Sequence, residues 1–264
     1  MGTNWDALVR TFLNWAEVVQ VFPILLGVGL RNTLLISAFA IALALVFGMI
    51  LALLLVSGNP FLRAPARVYV DVFRGMPAIL TVLIVGTGLP IAGIRPFGRE
   101  TYAYAVLALA ILNGAYISEI FRSGIQSVEK GQMDAARGLG LSYLQTMRLV
   151  IVPQGVRRVL PALTNQFIVC IKESSFVYLL GLSADQRELF TIGQDQDALT
   201  GGLTGLVCAG LVYLAIVLPM TYAVNWLDRR LREGGAPSVA LPIGEASVEV
   251  TGDSLQGIGA RGGG

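Results

Sequence analysis

The sequence contains no histidine, and only two of its 19 basic residues are lysines. The absence of histidine excludes imidazole-dependent catalytic triads, HExxH zinc sites and histidine proton relays. The two cysteines, Cys170 and Cys208, lie in separate apolar runs, which predicts buried thiols rather than a disulfide framework. Neither lysine follows a glycine, so the sequence has no phosphate-binding loop of the GxxxxGK[ST] type.

Charged residues are also scarce: they make up 14% of the 264 residues, whereas 55% are hydrophobic. Soluble domains average about 25% charged residues. The net charge of +2 is too small to indicate nucleic acid as a partner. Composition therefore predicts an integral membrane protein, with the lipid bilayer as its surroundings.

The long hydrophobic runs predict an all-α protein with five transmembrane helices, because one span needs about 20 mainly apolar residues. The predicted spans are 33–56, 68–91, 102–121, 161–182 and 203–226. Aromatic and charged residues mix over residues 1–22, which indicates a helix lying in the membrane interface ahead of a membrane domain at 23–232. The Gly-rich segment 233–264 lacks a helical period and predicts a disordered tail.

The basic residues predict the sidedness of these spans. One set of loops and helix ends carries twelve basic residues and the opposite set carries five. The positive-inside rule then predicts a cytoplasmic C-terminus, an external N-terminus and a cytoplasmic segment 127–153. The first set is Arg63, Arg67, Arg74, Arg122, Lys130, Arg137, Arg148, Arg157, Arg158, Arg229, Arg230 and Arg232, and the second is Arg10, Arg31, Arg95, Arg99 and Arg187.

Gly75 and Pro77 predict a bend or break near the start of the second span. Proline removes a helical hydrogen bond, and glycine weakens a helix. Backbone groups freed at membrane depth need new partners, so a break there is expected to line protein or water. A simple proline kink is the alternative interpretation.

Polar side chains recur at helical spacing in the third span. Asn113, Tyr116 and Glu119 follow each other at three-residue steps, so they occupy about one third of the helix circumference. A carboxylate within a membrane rarely faces lipid, which predicts that this face points into the bundle. Pairing of Glu119 with Arg122 is the alternative interpretation.

Lys172 lies near the middle of the fourth apolar run. A charge at the bilayer centre costs roughly 3 kcal/mol on insertion scales. We therefore expect a pairing partner, a water-filled cavity or a solute beside Lys172, unless its side chain snorkels to an interface. Residues 165, 168, 172, 175 and 179 share one helical stripe.

The segment 130–153, which reads KGQMDAARGLGLSYLQTMRLVIVP, predicts two short helices joined by a turn. Gly138 and Gly140 are expected to end the first helix, because glycine accepts the left-handed conformation of a helix C-terminus. Ser142 and Gln145 have the spacing of a capping box. Pro153 is expected to end the second helix. A helix-turn-helix between membrane spans is a docking surface for a protein in the water.

This segment resembles the EAA loop of ABC-transporter permeases. The family pattern is EAA, three residues, G, nine residues and I-x-L-P, and short patterns of this kind remain hypotheses. Here the pattern is Asp134-Ala135-Ala136, then Gly140, then 150–153, with Asp for Glu and Val for Ile and Leu.

Three more strings resemble the polar amino-acid permeases of that family, in the family's order. They are FRGMP at 73–77, NGAYISEIFRSGIQSVEKGQ at 113–132 and NQF…KESS at 165–175. Met76, Glu173 and Ser174 depart from the family's residues. The resemblance covers roughly residues 24–232.

The resemblance implies a type I ABC-importer permease fold with a cytoplasmic coupling helix, in a multi-pass protein of the bacterial inner membrane. The implied function is import of a polar or charged amino acid by alternating access, without enzymatic activity or a cofactor in this chain. ATP and Mg²⁺ would bind to two ATPase subunits that dock on the 131–153 loop. A second permease subunit, identical or related, and an external solute-binding protein would complete the complex.

The resemblance also gives roles to particular residues. ATPase coupling falls to Asp134, Ala135, Ala136, Gly138, Gly140 and Leu141. The expected solute path is lined by Asn113, Tyr116, Glu119, Lys172, Glu173 and Ser175. The sequence leaves open which amino acid is carried and whether this subunit holds a solute site itself.

Two other classes of protein compete with this interpretation. An ion-coupled secondary carrier predicts inverted repeats with matching helix breaks, but the break at 75–77 has no second copy in the sequence. An intramembrane enzyme without histidine would need Lys172 and Ser174 or Ser175 as a Ser-Lys pair. Near neighbours on one helix meet poorly in that geometry.

Overall fold

A computed structural model describes residues 5–233, and this range consists of helices and turns without a β-strand. The predicted all-α class is therefore confirmed for these residues. The helices are α1 (Trp5–Phe12), α2 (Trp15–Ile24), α3 (Leu30–Val56), α4 (Pro60–Gly75), α5 (Ala78–Leu83), α6 (Leu89–Ile91), α7 (Thr101–Gln126), α8 (Lys130–Gly138), α9 (Tyr143–Thr146), α10 (Val152–Glu173), α11 (Leu189–Thr200) and α12 (Thr204–Glu233). The predicted tail 233–264 lies outside the described residues, except that Glu233 ends α12.

Short segments of other helix types join several of these helices into longer ones. Leu25–Gly29, Ile84–Gly88 and Met147–Ile151 are π-helical, and Ser174–Leu180 forms a 3-10 helix. The chain is consequently helical without interruption from α2 through α3 and from α9 to Leu180.

Three helical stretches within residues 5–233 are long and apolar enough to cross a membrane: Trp5–Val56, Thr101–Gln126 and Thr204–Arg230. A fourth candidate is the bent pair Pro60–Gly75 and Ala78–Ile91. These stretches contain the first, third, fifth and second predicted spans. The predicted span 161–182 has no counterpart among them.

The fourth predicted span differs from the structure in two ways. Its helix α10 begins at Val152, well before residue 161, and Pro153 lies in the first turn instead of ending the helix. The π-helical segment directly before α10 changes the hydrogen-bond register, and a first-turn proline is compatible with continued helix. With 22 residues α10 is long enough to span a membrane, but its polar side chains keep it below the required apolarity.

The first predicted span begins much earlier as a helix than expected. Pro23 lies inside α2, so no helix begins or ends at the expected boundary between residues 22 and 23. The helix is interrupted instead at residues 13–14, where Asn14 caps α2. The stretch from Trp5 to Val56 contains 52 residues. At about 1.5 Å per residue it greatly exceeds a hydrocarbon core of about 30 Å, so part of it must lie outside that core.

The predicted break at Gly75 and Pro77 is confirmed, and it is a sharp turn. Gly75 ends α4, Met76 has an extended backbone (φ −88°, ψ 139°), and Pro77 caps α5. The two helices meet at 112°. The segment 68–91 is therefore no single straight span, and the kink interpretation is wrong.

Helix α7 lies at the centre of the bundle, packed along α3 on one side and α10 on another. Near one end of α7 the backbones of α7 and α10 almost touch. A Cβ atom on Gly124 would lie 2.6 Å from the carbonyl oxygen of Gly155. Glycine at both positions therefore sets the separation of these two helices.

Replacing Gly124 by alanine is expected to destabilise the bundle by about 1–3 kcal/mol, because the added methyl group meets rigid backbone. Gly210→Ala is the matched control. Gly210 is also helical, in α12, but a Cβ atom there would meet no atom within 4 Å. The measurement is the melting temperature of the purified protein in detergent. Equal melting temperatures for both variants would contradict the close packing of α7 on α10.

Candidate coupling surface and polar path

Helix α8 and the turn after it form the predicted helix-turn-helix. Gly140 has φ +86°, the left-handed conformation expected for the end of α8. Ser142 caps α9 through two reciprocal hydrogen bonds. The backbone N–H of Gln145 donates to Ser142 Oγ (3.3 Å), and the backbone N–H of Ser142 donates to Gln145 Oε1 (2.8 Å). The predicted capping box is therefore present.

The coupling residues do not all point the same way. Asp134, Ala135, Gly138 and Gly140 are exposed, and Leu141 is partly buried. Ala136 is only 5% exposed and packs toward the bundle, so the expectation that both alanines form the outer surface is wrong for Ala136. The 3.6-residue period places adjacent positions of a helix 100° apart, so Ala136 can face the bundle while its neighbour Ala135 faces outward.

Leu139 is the exposed apolar residue that sequence reasoning missed. It follows α8 directly, between Gly138 and Gly140, and its side chain is 85% exposed. A leucine between two glycines at the tip of a polar turn is the signal that points to it. An apolar side chain held this far from its own bundle fits contact with a second protein.

The coupling surface is anchored to the bundle by apolar packing. Val128, Met147 and Ile151 are buried in one cluster with Ala52 of α3 and Phe121 of α7. A cleft of about 400 Å³ lies beside this cluster, between the coupling segment and the ends of α3 and α7. The guanidinium group of Arg158 adds a hydrogen bond to the Ser127 carbonyl oxygen. The segments on both sides of α8 are therefore fixed to α3, α7 and α10.

A buried polar network joins α7 to α10. The Asn113 amide donates to Glu173 Oε2 (2.9 Å) and to the Leu109 carbonyl oxygen (3.0 Å). Asn113 Oδ1 in turn accepts from Gln166 Nε2 (2.8 Å). Two predicted path residues, Asn113 and Glu173, thus bond directly to each other, and Gln166, which was not assigned to the site, joins them through Asn113. Its spacing of two helical turns from Glu173 is the signal that indicates it.

Glu119 and Tyr116 face α4 rather than this network. Glu119 accepts from Arg122 Nε (3.0 Å) and is 3.5 Å from Arg67 Nη1, so the expected alternative of an Arg122 pair is confirmed. The Cζ of Arg74 lies 5.7 Å from the centre of the Tyr116 ring, within cation–π range. These contacts form a second polar seam, between α7 and α4.

Lys172 and Ser175 join neither seam. Lys172 is exposed and makes no close ion pair within residues 5–233, although its charge acts on the neighbouring Glu173 carboxylate. Ser175 donates to the Lys172 carbonyl oxygen (2.8 Å), and Ser174 donates to the Ile171 carbonyl oxygen (2.7 Å). Neither hydroxyl is bonded to the Lys172 amine, which argues against a Ser-Lys nucleophile.

A fully buried carboxylate, that of Glu188, lies in the loop that the sequence predicts between the last two spans. It caps α11 by accepting from the amides of Phe190 (2.6 Å) and Thr191 (2.7 Å), and it accepts from Tyr213 Oη (3.0 Å) of α12. Burial raises the pKa of the Glu188 carboxyl above its usual value, and these donors offset only part of that rise. All its close partners are internal, so it serves the packing of α11 on α12.

No three His, Cys, Asp or Glu side chains of the described range come close enough to hold a metal ion. The geometry of residues 5–233 is that of a helical membrane protein with an outward helix-turn-helix, a buried polar network between α7 and α10, and a partly exposed polar seam between α7 and α4.

The chain belongs to the family of inner membrane components of binding-protein-dependent transport systems, whose family model matches residues 44–233. Both polar seams and the whole coupling surface fall within the matched residues. The resemblance to ABC-transporter permeases is therefore confirmed at the level of the family.

Individual relatives agree with this assignment over most of their length. The chain is 34% identical over 221 residues to the arginine transport system permease protein ArtQ of Bacillus subtilis, covering 83% of this chain and 98% of ArtQ. It is 34% identical over 222 residues to the glutamate/aspartate import permease protein GltK of Escherichia coli, covering 82% and 97%. A crystal structure of an amino acid ABC transporter with histidines matches with a TM-score of 0.71 at 30% identity, covering 83% of this chain and 99% of the other.

Replacing Gln166 by leucine should destabilise the protein by about 1–3 kcal/mol, because the buried Asn113 oxygen loses its donor. Asn165→Leu is the matched control: the neighbouring side chain is exposed and makes no hydrogen bond in the described chain. Thermal unfolding in detergent measures both. If Gln166→Leu melts like the Asn165 variant, the network does not hold α7 to α10.

Proposed function

We propose that this chain is the membrane-spanning permease subunit of an ATP-driven importer for a polar or charged amino acid. The observation that carries the proposal is the exposed elbow of α8 and Leu139, which the turn at 139–142 joins to the continuous helix from α9 to Leu180. That helix carries Gln166 and Glu173, which bond to Asn113 of α7 in the buried network. One end of that helix is accessible to a partner in the water, and the other end touches the polar path.

The solute class is supported by the relatives and by the chemistry of the path. The relatives ArtQ and GltK are an arginine transport permease and a glutamate/aspartate import permease. An amino acid carries an ammonium and a carboxylate; the network offers the Glu173 carboxylate, and the exposed Lys172 beside it supplies a positive charge. Glu173 uses one carboxylate oxygen for Asn113, and its other oxygen accepts no hydrogen bond within residues 5–233, so it is available to an ammonium group.

The proposed topology keeps five spans, with α10 as the fourth. At about 1.5 Å per residue its 22 residues reach across a hydrocarbon core of about 30 Å. Its low apolarity suits a helix whose polar face contacts protein instead of lipid. The exposed Lys172 then calls for a second permease subunit, identical or related, or for the solute itself.

The proposed mechanism is alternating access. Two ATPase subunits on the cytoplasmic side would hold one coupling elbow each and move it as they bind and hydrolyse ATP. Because Val128, Met147 and Ile151 pack the elbow onto α3 and α7, its displacement would rotate these helices as a rigid unit. An external solute-binding protein would deliver the amino acid at the opposite face.

Leu139→Asp is expected to abolish both ATP-dependent uptake and co-purification of the ATPase subunits, because it places a charge in the apolar centre of the proposed contact. Leu199→Asp is the matched control: its side chain is 84% exposed, against 85% for Leu139, and it lies on the predicted external side. The measurements are uptake into proteoliposomes and the ATPase content of the purified complex.

Full co-purification with Leu139→Asp would contradict the docking assignment, and so would its retention in the double variant Ala135→Asp with Gly140→Asp. Loss of the ATPase subunits in the Leu199→Asp control as well would show that the effect is not specific to the elbow.

Glu173→Gln tests whether this chain holds the solute. We expect the KM for uptake to rise about tenfold or more, since a hydrogen bond to a charged group is worth about 1.5–3 kcal/mol. Solute-stimulated ATPase activity of the reconstituted complex, screened across the amino acids, identifies the solute first. Glu100→Gln, an exposed carboxylate in the predicted external loop, is the control. An unchanged KM would assign the solute site to the other permease subunit.

A further inference from the structure

A second cleft, of about 330 Å³, lies where the end of α3, the start of α4 and the end of α7 meet. Three arginines line it: Arg63 and Arg67 from α4 and Arg122 from α7. Gln126 belongs both to this cleft and to the one beside the coupling surface, so the two clefts lie at the same end of the bundle. The proposed function makes no use of it.

The cleft carries an excess of positive charge. Arg67 and Arg122 share the single carboxylate of Glu119. Arg63 makes no ion pair among the residues that the structure describes. Three guanidinium groups against one carboxylate leave two positive charges around a partly enclosed space, and this arrangement favours an anion with several acceptor oxygens.

Helix α4 combines this arginine face with an apolar strip. Successive residues of a helix are about 100° apart, which puts Arg63 and Arg67 on one face and Phe61, Val68 and Val72 about 140° round the helix, on the largely opposite face. Phe61 is 87% exposed and Val68 is 62% exposed, although both are apolar. An arginine face opposite an exposed apolar face makes α4 amphipathic, which is typical of a helix that lies at the level of the lipid headgroups.

We propose that this cleft binds the phosphate headgroup of an anionic phospholipid from the cytoplasmic leaflet. The arginine forks would hold the phosphate oxygens at the headgroup level, and the acyl chains would extend from the cleft into the surrounding bilayer. Basic pockets between membrane helices on the cytoplasmic side bind anionic headgroups in this way. The choice of leaflet rests on the sidedness proposed above; the binding chemistry does not.

The test measures lipid retention by the full-length chain purified with its partner subunits. Phosphatidylglycerol is titrated against phosphatidylcholine, and bound lipid is counted by native mass spectrometry. We expect the wild type to prefer phosphatidylglycerol and Arg63→Gln to bind it about fivefold more weakly, the effect of one basic residue at an anionic surface. Arg63→Lys should restore most of the binding.

Two further variants separate the cleft from general surface charge. Ala64→Glu adds a carboxylate at an exposed position of the same lining and should remove the preference for phosphatidylglycerol. Arg157→Gln makes the same charge change as Arg63→Gln at an exposed position outside the cleft and should bind like the wild type.

Three results would overturn the proposal. Equal binding by wild type, Arg63→Gln and Ala64→Glu would show that no lipid sits in the cleft. Equal loss in Arg157→Gln would assign the preference to overall charge, and displacement of the lipid by millimolar inorganic phosphate would make the cleft a site for free anions. Lipid counting does not depend on ATPase docking, so this proposal and the proposed function can fail separately.

Discussion

The structure depends on one constraint: polar side chains inside an apolar bundle must satisfy each other. A buried amide or carboxylate without a partner costs several times the net value of a hydrogen bond. Asn113 therefore needs Gln166 and Glu173, and these contacts fix the register of α10 against α7. Because α10 is continuous with α9, which directly follows the elbow, the network lies on the helix that leads from the elbow into the bundle.

At the coupling end, close backbone packing replaces hydrogen bonding as the link between these two helices. Gly124 and Gly155 allow α7 and α10 to approach until no side chain fits between them. Tightly packed helices move as units rather than deforming, since interiors have native packing density and low compressibility. In the proposed mechanism, a displacement of α8 therefore moves α3, α7 and α10 together and does not deform the bundle.

The charges divide into satisfied and unsatisfied groups, and the division indicates where other molecules belong. Glu119 is shared by two arginines, and Glu188 has four internal donors, so both carboxylates are bound within their own chain. Lys172 and Arg63 make no ion pair in the described range. The first lies beside the proposed solute path and the second in the cleft proposed for a lipid headgroup.

The sequence by itself determined the features whose causes are local. Composition defined a helical membrane protein, Gly75 and Pro77 a helix break, and Ser142 with Gln145 a capping box, because each signal acts over a few neighbouring residues. Only the tertiary structure decided the 112° turn after α4, the burial of Ala136, the continuation of the helix through Pro153 and the role of Gln166. These features depend on which helices lie side by side, and partners such as Asn113 and Glu173 are 60 residues apart in the chain.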